Sequence, residues 1–275
     1  MAGVSELTNP VERRRWNDDY WSSVWPRREQ LTGAVTGILI GHLALSAGER
    51  VLDVGSGAGI ASLAAAEQVG PTGVVVGADI SAPLVSFAGR RAAAAQVDHV
   101  RFVVADVQHD AVEGGPFDVA MSQFGVMFFD RAAIAFAHIA ALVRPGGRLG
   151  FACWQPIDDN PWHIGHAVGP YATPAAPPAE GNNRTGPFTL ADPERTTELL
   201  TGAGWADVTR TPYEVTARVT RDAIVDDDQV AYLGVPDDRL AEARVAIDAH
   251  MDRMAVSNGM YDAPLAFQVF TARRA

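Results

Sequence analysis

Apolar positions along this 275-residue chain fall into two rhythms. Five short runs are apolar almost without interruption: 51–54, 74–78, 100–105, 117–122 and 148–154. Runs of that length, bounded by Gly or Asp, predict strands covered on both faces. Between them lie Ala-rich segments of helical length, at Ile60 to Val69, Ser81 to Ala95 and Arg131 to Val143. Ser81 is placed to cap the second, with Pro83 in its first turn, and Asp130 to cap the third. Arg144-Pro145-Gly146-Gly147 is a turn signal before the fifth strand. Strand and helix alternating at these lengths imply right-handed crossovers and a mostly parallel sheet.

The flanks are less regular. Residues 10–46 have helical spacing at Leu31, Val35, Ile38, Leu39, His42 and Leu43, with a break expected at Pro26. Trp16, Trp21 and Trp25 crowd into this stretch. Residues 155–190, rich in Pro, Gly, Ala and Asn, predict an irregular insertion, and long connections of this kind are usually lids or flexible segments. A helix over Asp192 to Gly202, a strand over Trp205 to Val219, two helices around Pro236 within 221–257 and a strand over Pro264 to Arg273 complete the pattern. No linker divides the chain. The expected organisation is an N-terminal helical segment (1–46), an α/β core (47–155), the insertion (156–190) and the rest of the same domain (191–275).

Charge narrows the function. Lys plus Arg is 22 and Asp plus Glu is 33, a net −11, which argues against nucleic-acid backbones and anionic membrane surfaces as partners. The single Cys153 rules out an internal disulfide and fits a reducing compartment, so a cytoplasmic location is expected. Glu6 and Glu12, with no early apolar run, do not make a signal peptide, and no run suits membrane insertion. The 26 Gly, 17 Pro and excess of Arg over Lys are associated with GC-rich bacterial genomes.

The stretch with chemical character is Val51-Leu52-Asp53-Val54-Gly55-Ser56-Gly57-Ala58-Gly59. A strand, a glycine turn and a helix N-terminus let a ligand approach bare backbone. The spacing is G-x-G-x-G, not the dinucleotide G-x-G-x-x-G, and the Lys-Ser/Thr of a phosphate loop is absent. No Lys or Arg lies between Val51 and Arg90, while Asp53 stands beside the loop. A cationic ligand without phosphate fits better, and S-adenosylmethionine (SAM), with its ammonium, sulfonium and ribose diol, is such a ligand. The alternative is a structural turn that binds nothing.

Asp79-Ile80-Ser81, Ala105-Asp106, Phe117-Asp118-Val119-Ala120-Met121-Ser122-Gln123-Phe124 and Leu142-Val143-Arg144-Pro145-Gly146-Gly147-Arg148-Leu149 follow the glycine loop at natural spacing. With them the chain resembles the class I SAM-dependent methyltransferases, most closely the methyltransferase type 11 group related to ubiquinone/menaquinone C-methyltransferases, over roughly residues 45–155. The resemblance implies a Rossmann-like, doubly wound, mostly parallel seven-stranded sheet with an antiparallel last strand. It implies SAM as cofactor, held by Asp53, Gly55, Ser56, Gly57 and Gly59 at the loop and by Asp79 and Ile80 at the ribose diol. Asp106 and Val107 would meet the adenine, and Ser122, Gln123 and Phe124 the sulfonium. It places the N-terminal helical segment, with Trp25, over the cleft beside the insertion, so the two are expected to form a lid. An Asp53 that only braces the loop is the competing reading of that residue.

Methyl transfer to a small-molecule acceptor, a secondary metabolite or quinone-like compound, is the function expected. The alternative is a protein of this fold that binds SAM or its product without transfer, as a cyclase or ligand-binding module. His163 and His166, just past the fifth strand, are the candidate bases for a hydroxyl or carbon acceptor. Their i, i+3 spacing suits a metal, but no third ligand is near and none is expected. The protein is expected to be a monomer or homodimer.

Overall fold

The computed structural model describes residues 9–174, 177, 182–225, 229–230 and 233–275; the remaining parts of the expected N-terminal segment, insertion and C-terminal helices lie outside the described residues. Seven strands form one sheet: β1 (Arg50–Val54), β2 (Val74–Asp79), β3 (Val100–Val104), β4 (Phe117–Gln123), β5 (Val143–Trp154), β6 (Trp205–Thr220) and β7 (Met260–Arg274), in the order β3-β2-β1-β4-β5-β7-β6. The first five are parallel and β7 runs antiparallel between β5 and β6. The expected α/β class and reversed last strand are therefore present.

The crossover helices are α3 (Ile60–Val69), α4 (Ala82–Ala94) and α5 (Ala132–Leu142). Leu52, Val75, Val76, Val119 and Met121 are fully enclosed, which is why their strands lack polar alternation. Phe151 stacks on Phe270 at 5.3 Å and meets Phe136 at 5.5 Å, joining α5, β5 and β7 through rings shut from water. Burying each such ring contributes about 1.5–3 kcal/mol.

Local expectations need correction at several points. Pro26 does not end a helix; α1 (Pro10–Trp16) and α2 (Asp19–Leu43) part instead at Asn17-Asp18, where Asp18 caps α2 by accepting from the Tyr20 N–H. An internal proline costs about 3 kcal/mol, and tertiary anchoring on both sides offsets it. Arg28 donates to the Ala223 and Ile224 carbonyls, and Leu31, Val35, Leu39 and Leu43 are buried. Asp130 does not cap α5; its carboxylate accepts from the Asn182 side chain at 3.2 Å and so holds the insertion. β5 starts at Val143, because Phe117 pairs there before a register shift admits the Pro-Gly-Gly turn.

β6 and β7 outrun their neighbour. Pairing with β5 ends at Trp154↔Phe267, whereas the β6–β7 ladder continues to Thr220↔Met260. β6 is one edge of the sheet and β3 the other; β6 has a register shift between Ala206 and Thr209, Asp207 at φ 53° and Pro212 within it. Beyond β5 the chain is fastened by Asn160, which is fully buried. Its amide donates to the Ala266 carbonyl and accepts from the Ala266 N–H, both at 2.9 Å, doing the work of a strand residue. The same oxygen accepts from the Trp162 indole at 2.8 Å. Further helices among the described residues are α6 (Gly165–Val168), α7 (Pro193–Gly202), α8 (Arg221–Ile224) and α9 (Leu240–Met251).

Asn160→Ala leaves the Ala266 N–H and the Trp162 indole without an acceptor in a dry site. We expect it to lower unfolding free energy by about 2–4 kcal/mol, read by urea denaturation. A loss under about 1 kcal/mol would show that water replaces the amide.

Candidate active site

Sheet order reverses at β1, with β2 on one side and β4 on the other. Chains leaving β1 and β4 diverge there, and a cavity of about 480 Å³ opens above the strand ends. The loop after β1 forms its floor. Gly55, at φ 68°, lies so close to the β4 loop that a Cβ would stand 2.7 Å from the Gly125 Cα. Gly57, at φ 52°, lies under the Trp25 ring, where a Cβ would be 2.9 Å away.

Acids end three adjacent strands on this wall. Asp79 accepts from the Gly57 N–H and the Ser81 N–H, both at 2.8 Å, one at each carboxylate oxygen. Ser81 itself caps α4 by accepting from the Leu84 N–H, so Asp79 is not needed as the cap. Burial pushes the Asp79 carboxyl up, against the pull of the backbone donors Ser81, Gly57 and Ile80. Asp53 is fully buried; one oxygen accepts from the Ser62 hydroxyl at 2.6 Å, a loop brace, and the other has no protein partner among the described residues. Burial, and secondarily the Asp79 charge, push Asp53 up to about 7 despite the Ser62 bond. Ser56, also on the wall, has a buried hydroxyl without a protein partner among the described residues. Asp106 accepts from the Gln108 N–H at 3.1 Å, with the Arg13 guanidinium 3.8 Å away. Ile80 and Val107 complete this side.

The roof is aromatic. Trp16 lies 4.7 Å from Trp21 and 6.0 Å from Trp25, centroid to centroid, and edge-on to Phe128 at 5.2 Å. Trp25 donates to Glu29, which makes a two-pronged ion pair with Arg91 on α4. The α1–α2 corner is tied to α4, since Asn17 donates to the Ile80 carbonyl and accepts from the Ala82 N–H, and Ser81 donates to the Trp16 carbonyl. Glu12 is buried, accepting from Trp16, Arg15 and, across to the insertion, the Thr185 hydroxyl at 2.7 Å.

The end away from the acids joins three expected residues, Gln123, Phe124 and His163, to three aromatics that no motif marks, Trp154, Trp162 and Phe188. Phe124, at φ 63°, stacks on Trp154 at 4.1 Å, and Trp154 meets Trp162 at 5.0 Å. Gln123 is held by α2, accepting from the Thr36 hydroxyl at 2.8 Å. His163 sits between Trp162 and Phe188, at 5.4 and 5.0 Å. The only advance signal was the aromatic Trp162 beside His163; Trp154 and Phe188 carry no local motif.

Eleven of the thirteen residues expected to hold the cofactor thus face one cavity, together with His163. Two do not. Ser122 lies beneath the wall, donating to the Val54 carbonyl and accepting from the Gly125 and Val126 N–H groups. Gly59 faces the sheet, where a Cβ would strike the Phe102 ring at 2.7 Å. His166 is also off the cavity, exposed and donating to the Ile157 carbonyl at 2.8 Å. Nor does His163 suit a base. Its Nδ1 accepts from the Gly165 N–H at 3.1 Å, so the neutral ring carries its proton on Nε2. Burial foremost, with His166, His250 and Arg28 adding repulsion, pushes its pKa down to about 4. Cys153 is buried and pushed up to about 12, an inert thiol. Among the described residues, no cluster of three or more His, Cys, Asp or Glu is arranged to hold a metal ion, and no helix is long and apolar enough to cross a membrane.

A glycine loop thus stands at the switch point of this sheet, flanked by acids at or near successive strand ends. Residues 51–147 match the family model described as a methyltransferase domain. The chain is 31% identical over 170 residues to the nocamycin O-methyltransferase of Saccharothrix syringae, a match covering 58% of this chain and 60% of that protein. It is 35% identical over 104 residues to the aklanonic acid methyltransferase DauC of Streptomyces sp. (strain C5), covering 38% of this chain and 47% of that one. The matched part thus spans about half to three fifths of these relatives' lengths. Among solved structures, the YcgJ protein of Bacillus subtilis shares the fold, with a TM-score of 0.59 at 18% identity over 87% of this chain and 97% of that one.

The Asp53 shift carries a pH signature. The folded protein binds a proton up to about pH 7 that the unfolded chain releases near 3.8. The folded state therefore binds more protons across that window, and stability falls as pH rises through it. We expect ligand-free protein to lose on the order of a few kcal/mol between about pH 4 and about pH 7 from this group. Asp53→Asn should flatten the slope in urea titrations at several pH values; an unchanged slope would mean that Asp53 is ionised throughout.

Proposed function

We propose that the cavity binds SAM along the β1–β3 side and a small-molecule acceptor at the aromatic end, and that the protein transfers methyl between them. The observation that carries this is the wall itself. Asp53, Asp79 and Asp106 line one side, and Asp53 and Ser56 hold polar atoms there that no described protein group satisfies. A ligand with an ammonium and a diol suits such a wall; a pyrophosphate does not. Backbone donors reach both Asp79 oxygens, and the carboxylate keeps lone-pair capacity for a ribose hydroxyl. Asp53 acts through space from beneath the floor, and its carboxyl ionises more readily once a cation lies above it.

SAM supplies a methyl on a positively charged sulfur, a leaving group that is already activated. The protein's part is alignment and exclusion of water. The tryptophan roof and the Phe124–Trp154 stack do both. We propose residues 10–28 and the insertion as a lid, latched by Glu12–Thr185 and opened for exchange. That nocamycin O-methyltransferase and a methyltransferase named for aklanonic acid are among the relatives supports an oxygen acceptor.

Calorimetry tests the cofactor. SAM and its demethylated product should bind and NAD should not. NAD binding without SAM binding would overturn the reading. Asp79→Ala should weaken SAM binding by about 2–4 kcal/mol with little change in ligand-free melting. Mass spectrometry of a metabolite panel after incubation then separates transfer from binding alone.

Hydrogen exchange tests the lid. Amides of residues 10–28 and of the insertion should gain protection with SAM product and acceptor together. Protection that is already complete without ligand would make both segments fixed packing.

A further inference from the structure

We propose that His163 is a hydrogen-bond donor to the acceptor, and that it selects flat apolar acceptors whose oxygen is already an anion at neutral pH: a carboxylate, an acidic phenolate or an enolate. The proposal rests on the methyl-transfer reading above and narrows its substrate class.

The tautomer follows from one contact. A backbone N–H can only donate, so the Nδ1 that faces Gly165 at 3.1 Å holds a lone pair, and Nε2 holds the hydrogen. The contact is built in by the choice of residue, because a Cβ on Gly165 would lie 2.6 Å from that Nδ1. Nε2 has no protein partner among the described residues, and the ring lines the cavity between the edges of Trp162 and Phe188. A histidine acting as base is normally oriented by an acceptor on its other nitrogen, which stabilises the imidazolium. Here the arrangement is inverted. The charged or titratable groups facing it, His166, His250 and Arg28, all oppose a positive ring. His166 and His250 each spend Nε2 on a carbonyl, of Ile157 and Pro161. The ring therefore stays neutral through the physiological range and offers N–H alone.

An acceptor that arrives ionised needs no base. Its oxygen lone pair attacks the methyl carbon of the sulfonium donor. One O–C bond forms, one S–C bond breaks with its electron pair going to sulfur, and anion and cation cancel with no proton released. A donor beside the acceptor holds the anion in place, and the Phe124–Trp154 stack matches a planar frame.

The test uses the whole chain saturated with S-adenosylhomocysteine. Naphthoic acid and 2-hydroxy-1,4-naphthoquinone, both anions at neutral pH, and naphthylamine, neutral at the same pH, are titrated by calorimetry. The anions should bind about ten-fold or more tighter, a range expected for one bond to a charged group. Hydroxynaphthoquinone should show the absorption of its ionised form when bound. His163→Gln, which keeps a donor and cannot be a base, should retain the preference. His163→Phe, which keeps the packing, should lose it, and Gly165→Ala should weaken it by displacing the ring. No preference in the native protein, a His163→Gln variant as impaired as His163→Phe, or a bound neutral quinone would each overturn the proposal. Failure of S-adenosylhomocysteine itself to bind would instead bring down the methyl-transfer reading, and this proposal with it.

Discussion

Two loops touch backbone to backbone, and the site depends on that contact. The chain leaving β1 at Gly55 meets the chain leaving β4 at Gly125 with no room for a Cβ on either side. Ser122 locks the approach with three hydrogen bonds, to Val54, Gly125 and Val126. Because the loops are pinned, Gly57 faces upward to donate to Asp79, and Phe124 is forced to positive φ, which aims its ring at Trp154. A non-glycine residue in that region is strained, and the cost persists where surrounding structure fixes it. The floor and the aromatic end of the cavity are thus consequences of one crossing.

The core was legible because β1, β2 and β4 are covered on both faces, which leaves nearly uninterrupted apolar runs; the run of β3 promised the same, but that strand is a sheet edge and leaves Val104 exposed. The glycine spacing and the acids at strand ends are local signals and could be read directly. Ser122 and Gly59 sit within the same motifs, yet one fits under the loop and the other packs on Phe102. Motif membership does not report which way a side chain points. The N-terminal helices misled at Pro26, since Arg28 and the buried leucines of α2 outweigh a propensity rule. Trp154, Trp162 and Phe188 come from separate segments that meet only in the fold. The role of His163 was unreadable for a finer reason. Its tautomer depends on a ring approaching a backbone amide two residues on, which composition and spacing do not encode.

Glu12 and Asp53 show two uses of a buried acid. Both are shut from water. Glu12 has a partner on each oxygen, from Trp16, Arg15 and Thr185, so it joins the roof to the insertion as structure. Asp53 has one oxygen braced by Ser62 and one left bare. A satisfied buried carboxylate stiffens the fold, whereas an unsatisfied one is a standing cost that a ligand of opposite charge can remove. The contrast separates framework from binding surface without reference to any motif.

The edge of the sheet has a consequence for how copies of this chain meet. β6 runs sixteen residues along an open flank, and a long flat edge is a template for adding another strand. Here the ladder is broken between Ala206 and Thr209, Pro212 offers no N–H, and Arg210, Glu214 and Arg218 project along the exposed side. Each of these features spoils registry for an incoming strand. A chain that is nearly half hydrophobic, and whose last two strands outrun the rest of the sheet, is in this way guarded against strand addition along this edge.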